Sequence, residues 1–237
     1  MAIAYVTGIS AAGVSTFSTG TTNPGSLSGA LVLVATSYYT GFSPGSNFIT
    51  DNQGNGNYTP LTAVTAVDPK VNIYYMKNAN TANGMTWTMT GTGSYAAISA
   101  FVFTGADTSA PFVQQSAGAT GAGGGTIQPG ALTPSAGSVL FTVGGFNRAN
   151  AAAPTIDGSF SSVTFGTSGT NFAAGNNYGG VGSYLIGGSG STNPTWTFDT
   201  AITNIAVTMA EFKVAAASGW GPLINTSGLR NGLIQVT

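Results

Sequence analysis

Residues 30–35 read Ala-Leu-Val-Leu-Val-Ala, and this uninterrupted apolar stretch decides the fold class. A strand that is apolar on both faces has a packed layer on each side, so the stretch predicts a central strand. Around it the chain has period two. Residues 85–90 read Met-Thr-Trp-Thr-Met-Thr, an alternation that is typical of a half-buried strand. Further runs of this kind lie at 71–76, 96–103 and 205–212.

Turn-forming residues separate these runs, for example at 41–45 and 80–84, where Gly, Pro, Asn and Ser cluster. No segment has a 3.6-residue apolar stripe with helix caps. Short strands between frequent turns predict an all-β fold, which we expect to be an antiparallel, jelly-roll-like β-sandwich.

The sequence also repeats itself at an offset of about 108 residues. The matched segments are 24–33 with 133–141, 75–76 with 184–185, 86–89 with 195–198, and 100–103 with 209–212. Matches in one order at one spacing predict two homologous halves, residues 1–105 and 106–214. Either each half closes its own sandwich, or the halves interleave into one larger sandwich, and we favour one compact unit.

A tail, residues 215–237, follows the second half without a counterpart in the first. An apolar strand at a terminus needs a partner sheet, within the chain or on a neighbour, so we expect the tail to dock or to add a strand. The residues predicted to make this contact are Trp220, Leu223, Ile224, Leu233, Ile234 and Val236.

The composition excludes several kinds of chemistry. The 237 residues include five basic and six acidic side chains, and neither histidine nor cysteine. Histidine-dependent or cysteine-dependent catalysis, disulfides and zinc sites are thereby excluded, and five cations are too few for a nucleic-acid surface. We expect no cofactor and no metal. The loop 51–57 has oxygen-bearing residues at alternate positions, as calcium loops do, but we interpret it as a tight turn.

Five segments resemble, in order, a β-sandwich domain of bacteriophage particle proteins and bacterial surface proteins. These segments are residues 29–35, 50–58, 73–79, 86–89 and 101–107. The resemblance covers most of residues 25–214 and implies a sandwich without catalytic residues. An acidic residue often stands in that family where this chain has Val102, whereas the second half keeps one as Glu211. This departure argues against carboxylate chemistry in the first half.

The aromatic residues allow two interpretations. Trp87 and Trp196 occupy matching repeat positions, and we interpret them as core residues, with sugar-stacking platforms as the alternative. The tyrosines near turns are candidates for glycan contact: Tyr38, Tyr39, Tyr58, Tyr95 and Tyr178.

These observations predict a non-enzymatic structural protein of a virus particle, such as a bacteriophage capsid decoration, head-fibre or tail accessory protein. The chain begins without a basic segment ahead of an apolar stretch, so we expect synthesis in a host cytoplasm and a final location in the virion. Expected partners are further copies of the chain, with a trimer as the expected oligomer, and other virion proteins such as a major capsid protein. We expect no membrane partner. The alternative is a carbohydrate-binding module or adhesin that contacts host glycans.

Overall fold

The computed structural model describes residues 2–39, 42–93, 95–147, 154–157, 160–162, 178–200 and 202–216. These residues form antiparallel strands and no helix, which confirms the all-β prediction. The strands of the first half are β1 (Ala4–Val14), β2 (Phe17–Ser18), β3 (Leu27–Tyr38), β4 (Ser43–Asp51), β5 (Thr59–Pro60), β6 (Lys70–Thr81), β7 (Trp87–Thr92) and β8 (Tyr95–Thr104). Those of the second half are β9 (Phe112–Gln115), β10 (Ala119–Ala122), β11 (Gly125–Ile127), β12 (Val139–Asn147), β13 (Thr155–Ile156), β14 (Ser161–Ser162), β15 (Tyr178–Ile186), β16 (Trp196–Phe198) and β17 (Asn204–Phe212).

The first half is a sandwich of two sheets. Its larger sheet has the order β1-β8-β3-β6-β5, and its smaller sheet has the order β2-β7-β4. Successive strands therefore alternate between the sheets. This connectivity is that of a jelly roll, with the exception that the short β5 pairs with β6.

The second half repeats this connectivity. Its larger sheet runs β10-β17-β12-β15-β14, with β9 also on β17, and its smaller sheet runs β11-β16-β13. The described strands of the two halves share no sheet. Each half therefore closes its own sandwich instead of interleaving with the other. The common strand order is what a duplicated unit would have, and the duplication itself stays a prediction.

The two larger sheets pack against each other face to face. One core lies between the sheets of the first half and includes Val32 and Trp87. A second core lies between the halves and joins Leu33 of β3 to Phe141 of β12. Another core, around Trp196, fills the second half. The molecule is thus a stack of four sheets in which both larger sheets are covered on both faces.

This stacking explains why residues 30–35 are apolar throughout. Val32 and Val34 point into the core of the first half, whereas Leu31 and Leu33 point into the core between the halves. Their neighbour β8 follows the same rule, since Val102 and Phe103 alternate between these cores. A strand in a central layer has no solvent face, so polar alternation is absent from its sequence.

Glycine determines how closely the two larger sheets approach. A Cβ atom on Gly182 of β15 would lie 2.6 Å from Cε2 of Phe101 on the facing sheet. Gly29, the third residue of β3, and Gly137, two residues before β12, have positive φ angles of 78° and 77°. That conformation disfavours residues with a Cβ atom, so glycine occupies both positions for the same reason.

The chain that links the halves is held by the end of the second half. The Ala215 amide donates to the Gly105 carbonyl at 2.8 Å, and the Lys213 amide donates to the Pro111 carbonyl at 2.8 Å. Lys213 Nζ also lies 3.2 Å from Asp107 Oδ2. Residues 105–111 and 213–215 therefore form a clasp at the junction of the two halves.

Candidate functional site

Aromatic rings from both halves contact one another at the interface between the two larger sheets. Tyr5 of β1 stacks on Tyr184 of β15, with ring centroids 4.9 Å apart. Phe103 of β8 meets both rings edge-on, at 5.9 Å from Tyr5 and 5.2 Å from Tyr184. Rings arranged in this way stabilise the contact beyond the area that they bury. We call Tyr5, Phe103 and Tyr184 the first aromatic trio.

A second group of three rings includes the edge strand β9 of the second half. Phe112 of β9 stacks on Tyr75 of β6 at 6.4 Å, and Phe212 of β17 lies 6.0 Å from Phe112 and 5.5 Å from Tyr75. Here the second half supplies two rings and the first half supplies one, the reverse of the first trio. We call Phe112, Tyr75 and Phe212 the second aromatic trio. The reciprocal arrangement places equivalent features on the two edge strands.

These edge strands also carry the exposed apolar residues. Among the described residues, the exposed large hydrophobic side chains are Tyr5 and Val14 on β1 and Phe112 and Val113 on β9. Neither strand contains a charged residue. Natural edge strands are commonly protected by charges, proline or bulges, because unpaired backbone groups recruit other strands. β1 and β9 each have one register shift against the neighbouring strand, but neither has the protection of a charge. Two uncharged apolar edges are therefore the candidate interaction surfaces of this molecule.

The residues predicted from the sequence to make contacts do not include Tyr5, Val14, Phe112 or Val113. The repeat contained the signal, because Tyr5 and Phe112 are separated by nearly the same offset as the other matched positions. Which strands lie at an edge depends on the pairing order, and no local pattern encodes that order.

Two tyrosines predicted for glycan contact are inside the protein. Tyr38 is 8% exposed and Tyr58 is 5% exposed, so neither ring offers a stacking face, and the prediction is wrong for both. Tyr39 and Tyr95 are half-buried. Tyr178 begins β15, but its side chain lies outside the described part of the structure. The six tail residues predicted for docking, in 220–236, lie outside the described residues as well.

Tyr58 has a structural role instead. Its hydroxyl accepts a hydrogen bond from Trp87 Nε1 at 2.8 Å and donates one to Asp51 Oδ2 at 2.8 Å. Burial and the neighbouring Asp51 carboxylate raise the pKa of Tyr58 well above its ordinary value. Asp51 Oδ1 also accepts the amide of Gln53 at 2.8 Å, which fixes the turn that follows β4. The loop 51–57 is thus held by its own side chains, and Trp87 belongs to the core as predicted.

Glu211 is the buried carboxylate of the second half. It accepts hydrogen bonds from the Ser135 amide and from Gln114 Nε2, both at 2.6 Å. Burial raises the pKa of the Glu211 carboxyl, but these hydrogen bonds outweigh burial and hold the pKa below its ordinary value. The residue therefore fastens the loop before β12 to the edge strand β9.

Asp107 is the carboxylate of the clasp. Hydrogen bonds from the amides of Ala110 and Ser109, together with Lys213, lower the pKa of Asp107 to about 2. The described residues include no group of three or more acidic side chains placed to hold a metal ion. Nor does this part of the chain contain a helix with the length and hydropathy that a membrane crossing needs.

Comparison of the chain with protein-family models, with curated proteins and with solved structures finds no match.

Proposed function

We propose that this chain is a non-enzymatic structural protein of a virus particle, of the kind that decorates a bacteriophage capsid or forms head fibres or tail accessories. It self-associates, or docks on the particle, through the edge strands β1 and β9. One observation carries the proposal: the exposed large hydrophobic residues of the described structure lie on these two strands. The tail residues from Trp220 to Val236 stay in the proposal as a further docking element.

Charge supports this role. Only 5% of the residues are charged, and the formal net charge is −1. Surfaces that carry so little charge repel one another weakly and favour association. Such a surface also responds little to changes in ionic strength, which suits a particle that leaves the cell.

The fold adds support at the level of analogy. Jelly-roll sandwiches occur in viral capsid domains and in lectin domains, among others. The same fold serves many functions, so the proposal depends on the edges and not on the fold alone.

Lysines placed on the edges test self-association. In the variant Val14→Lys/Val113→Lys, each edge carries a charge that would be desolvated in an interface. Light scattering coupled to size-exclusion chromatography should give an oligomer for the wild type and a monomer for the variant. The control is Thr197→Lys on the exposed face of β16, which adds charge away from both edges and should leave the oligomer intact.

Association with the particle is tested separately. Purified virions from cells that express the gene should contain the chain in a fixed ratio to the major capsid protein, and the edge variant should be depleted. A wild-type chain that stays monomeric at micromolar concentration and is absent from particles would contradict the proposal.

A further inference from the structure

A shallow cleft of about 240 Å³ lies on the surface of the second half. One wall is apolar and consists of Phe160 and Leu185, which pack on a small buried cluster that includes Leu140. The lining also includes the polar residues Asp157 and Asn193. Small-molecule sites combine a mostly apolar concave surface with a few oriented polar groups, and this cleft has that composition.

The orientation of Asp157 is fixed by the strand beside it. Its Oδ1 accepts the Thr195 amide at 2.7 Å, and its own amide donates to the Thr195 carbonyl at 3.0 Å. One carboxylate oxygen is sufficient for this structural role. Asp157 is exposed, so the negative charge faces the cleft and the solvent.

The first half provides a comparison. Asn52 makes the same pair of contacts with Thr86, at 3.0 and 3.2 Å, on the strand segment that leads to Trp87. Asn52 also donates to the Gly84 carbonyl and accepts from Gln53, so its side chain serves its own loop. An amide is therefore sufficient to support this segment of the chain. These two contacts therefore do not account for the negative charge of Asp157 in the second half.

We infer that the cleft binds one ring of a neutral saccharide. A carboxylate accepts hydrogen bonds from two neighbouring sugar hydroxyls, and charged acceptors make the stronger bonds. Phe160 is part of the cleft lining, and an aromatic ring can pack on the C–H side of a pyranose. The cleft is smaller than the roughly 300–1,000 Å³ of sites for drug-sized ligands, so it accommodates a single ring. This site differs from the tyrosines predicted from the sequence, and it does not depend on the virion role.

Protein-observed NMR with the methyl glycosides of glucose, galactose, mannose and N-acetylglucosamine tests the inference. At least one glycoside should give saturable shifts at Asp157, Leu185 and residues 191–194. Asp157→Asn should weaken its affinity about tenfold, because a neutral acceptor replaces a charged one. Phe160→Leu, which keeps apolar bulk but removes the ring, should also weaken binding.

The matched control is Asn52→Asp, which makes the reverse exchange in the first half and should leave the affinity unchanged. The inference is overturned if no glycoside shifts the cleft resonances at about 20 mM, a concentration that detects even millimolar affinity. It is also overturned if Asp157→Asn binds as tightly as the wild type, or if the shifts cluster elsewhere. The shifts report binding at the cleft alone. A protein that is monomeric and absent from virions, which contradicts the proposed function, could therefore still bind a glycoside here.

Discussion

Trp87 and Trp196 stand at matching positions, but their indole N–H groups find different acceptors. Trp87 donates to Tyr58, whereas Trp196 Nε1 donates to Thr142 Oγ1 at 3.2 Å. Both rings are fully buried, and a buried donor without a partner is costly. Each half has therefore satisfied the same requirement with a different residue. Two sandwiches with the same strand order can differ in this way and still keep a closed core.

Tyr58→Phe tests the hydrogen bond between Trp87 and Tyr58 in the first half. The substitution leaves the Trp87 N–H without its acceptor and removes a donor from Asp51, so the free energy of unfolding should fall by about 1–3 kcal/mol. Urea unfolding followed by tryptophan fluorescence measures the change. Tyr95→Phe, at a half-buried tyrosine, is the control and should change stability by less than about 0.5 kcal/mol. Equal effects of the two substitutions would contradict the role assigned to Tyr58.

Glu211 gives a prediction for pH. Its pKa in the folded protein lies below the ordinary value of 4.5. The unfolded chain therefore binds the proton more readily, and stability falls as the pH drops from about 4.5 through the lower native pKa. Glu211→Gln should flatten the dependence of unfolding free energy on pH across that range. An unchanged slope between the variant and the wild type would show that Glu211 does not contribute.

At the scale of elements, the sequence allows prediction of the strands but not of their neighbours. Residues 30–35 identify a strand with two buried faces, and the alternation in 85–90 identifies β7. The jelly-roll order depends on long-range pairing, such as β1 with β8, which no local pattern specifies. The burial of Tyr38 and Tyr58 was missed for the same reason. Tyrosines beside turns resemble surface residues until the opposite sheet is placed over them.

The closeness of the sheets gives a prediction about β15. Gly182→Val would place methyl groups where Phe101 now lies, so the facing sheets must separate or the ring must move. The free energy of unfolding should decrease by about 1–3 kcal/mol in a urea titration. Gly20→Ala is the control, because its added Cβ would lie no closer than 3.6 Å to Ile9. Full tolerance of valine at position 182 would contradict the packing between the halves.

For the whole molecule, the core between the halves determines how the protein unfolds. Leu33, Phe101 and Phe141 are inaccessible only while the two larger sheets remain in contact. A half released from its neighbour would expose a broad apolar face, which is unfavourable in water. We therefore expect the two sandwiches to unfold together, although each has a core of its own.

Calorimetry tests this cooperativity. The wild type should show one transition, with the calorimetric enthalpy equal to the van't Hoff enthalpy. Phe141→Ala should lower the free energy of unfolding by about 3–5 kcal/mol and shift the whole transition, because Phe141 packs on Phe101 at a centroid distance of 5.0 Å. Two separate transitions, only one of which shifts in the Phe141→Ala variant, would show that the halves unfold independently.

The clasp has a mechanical consequence. Lys213 and Ala215 donate backbone hydrogen bonds to the segment that links the two sandwiches. A pull on the chain beyond residue 216 is therefore applied at the junction of the two halves. Such a pull first loads the hydrogen bonds that Lys213 and Ala215 make to residues 105–111. A partner attached to the chain beyond residue 216 would therefore be held at a segment that contacts the junction of both halves.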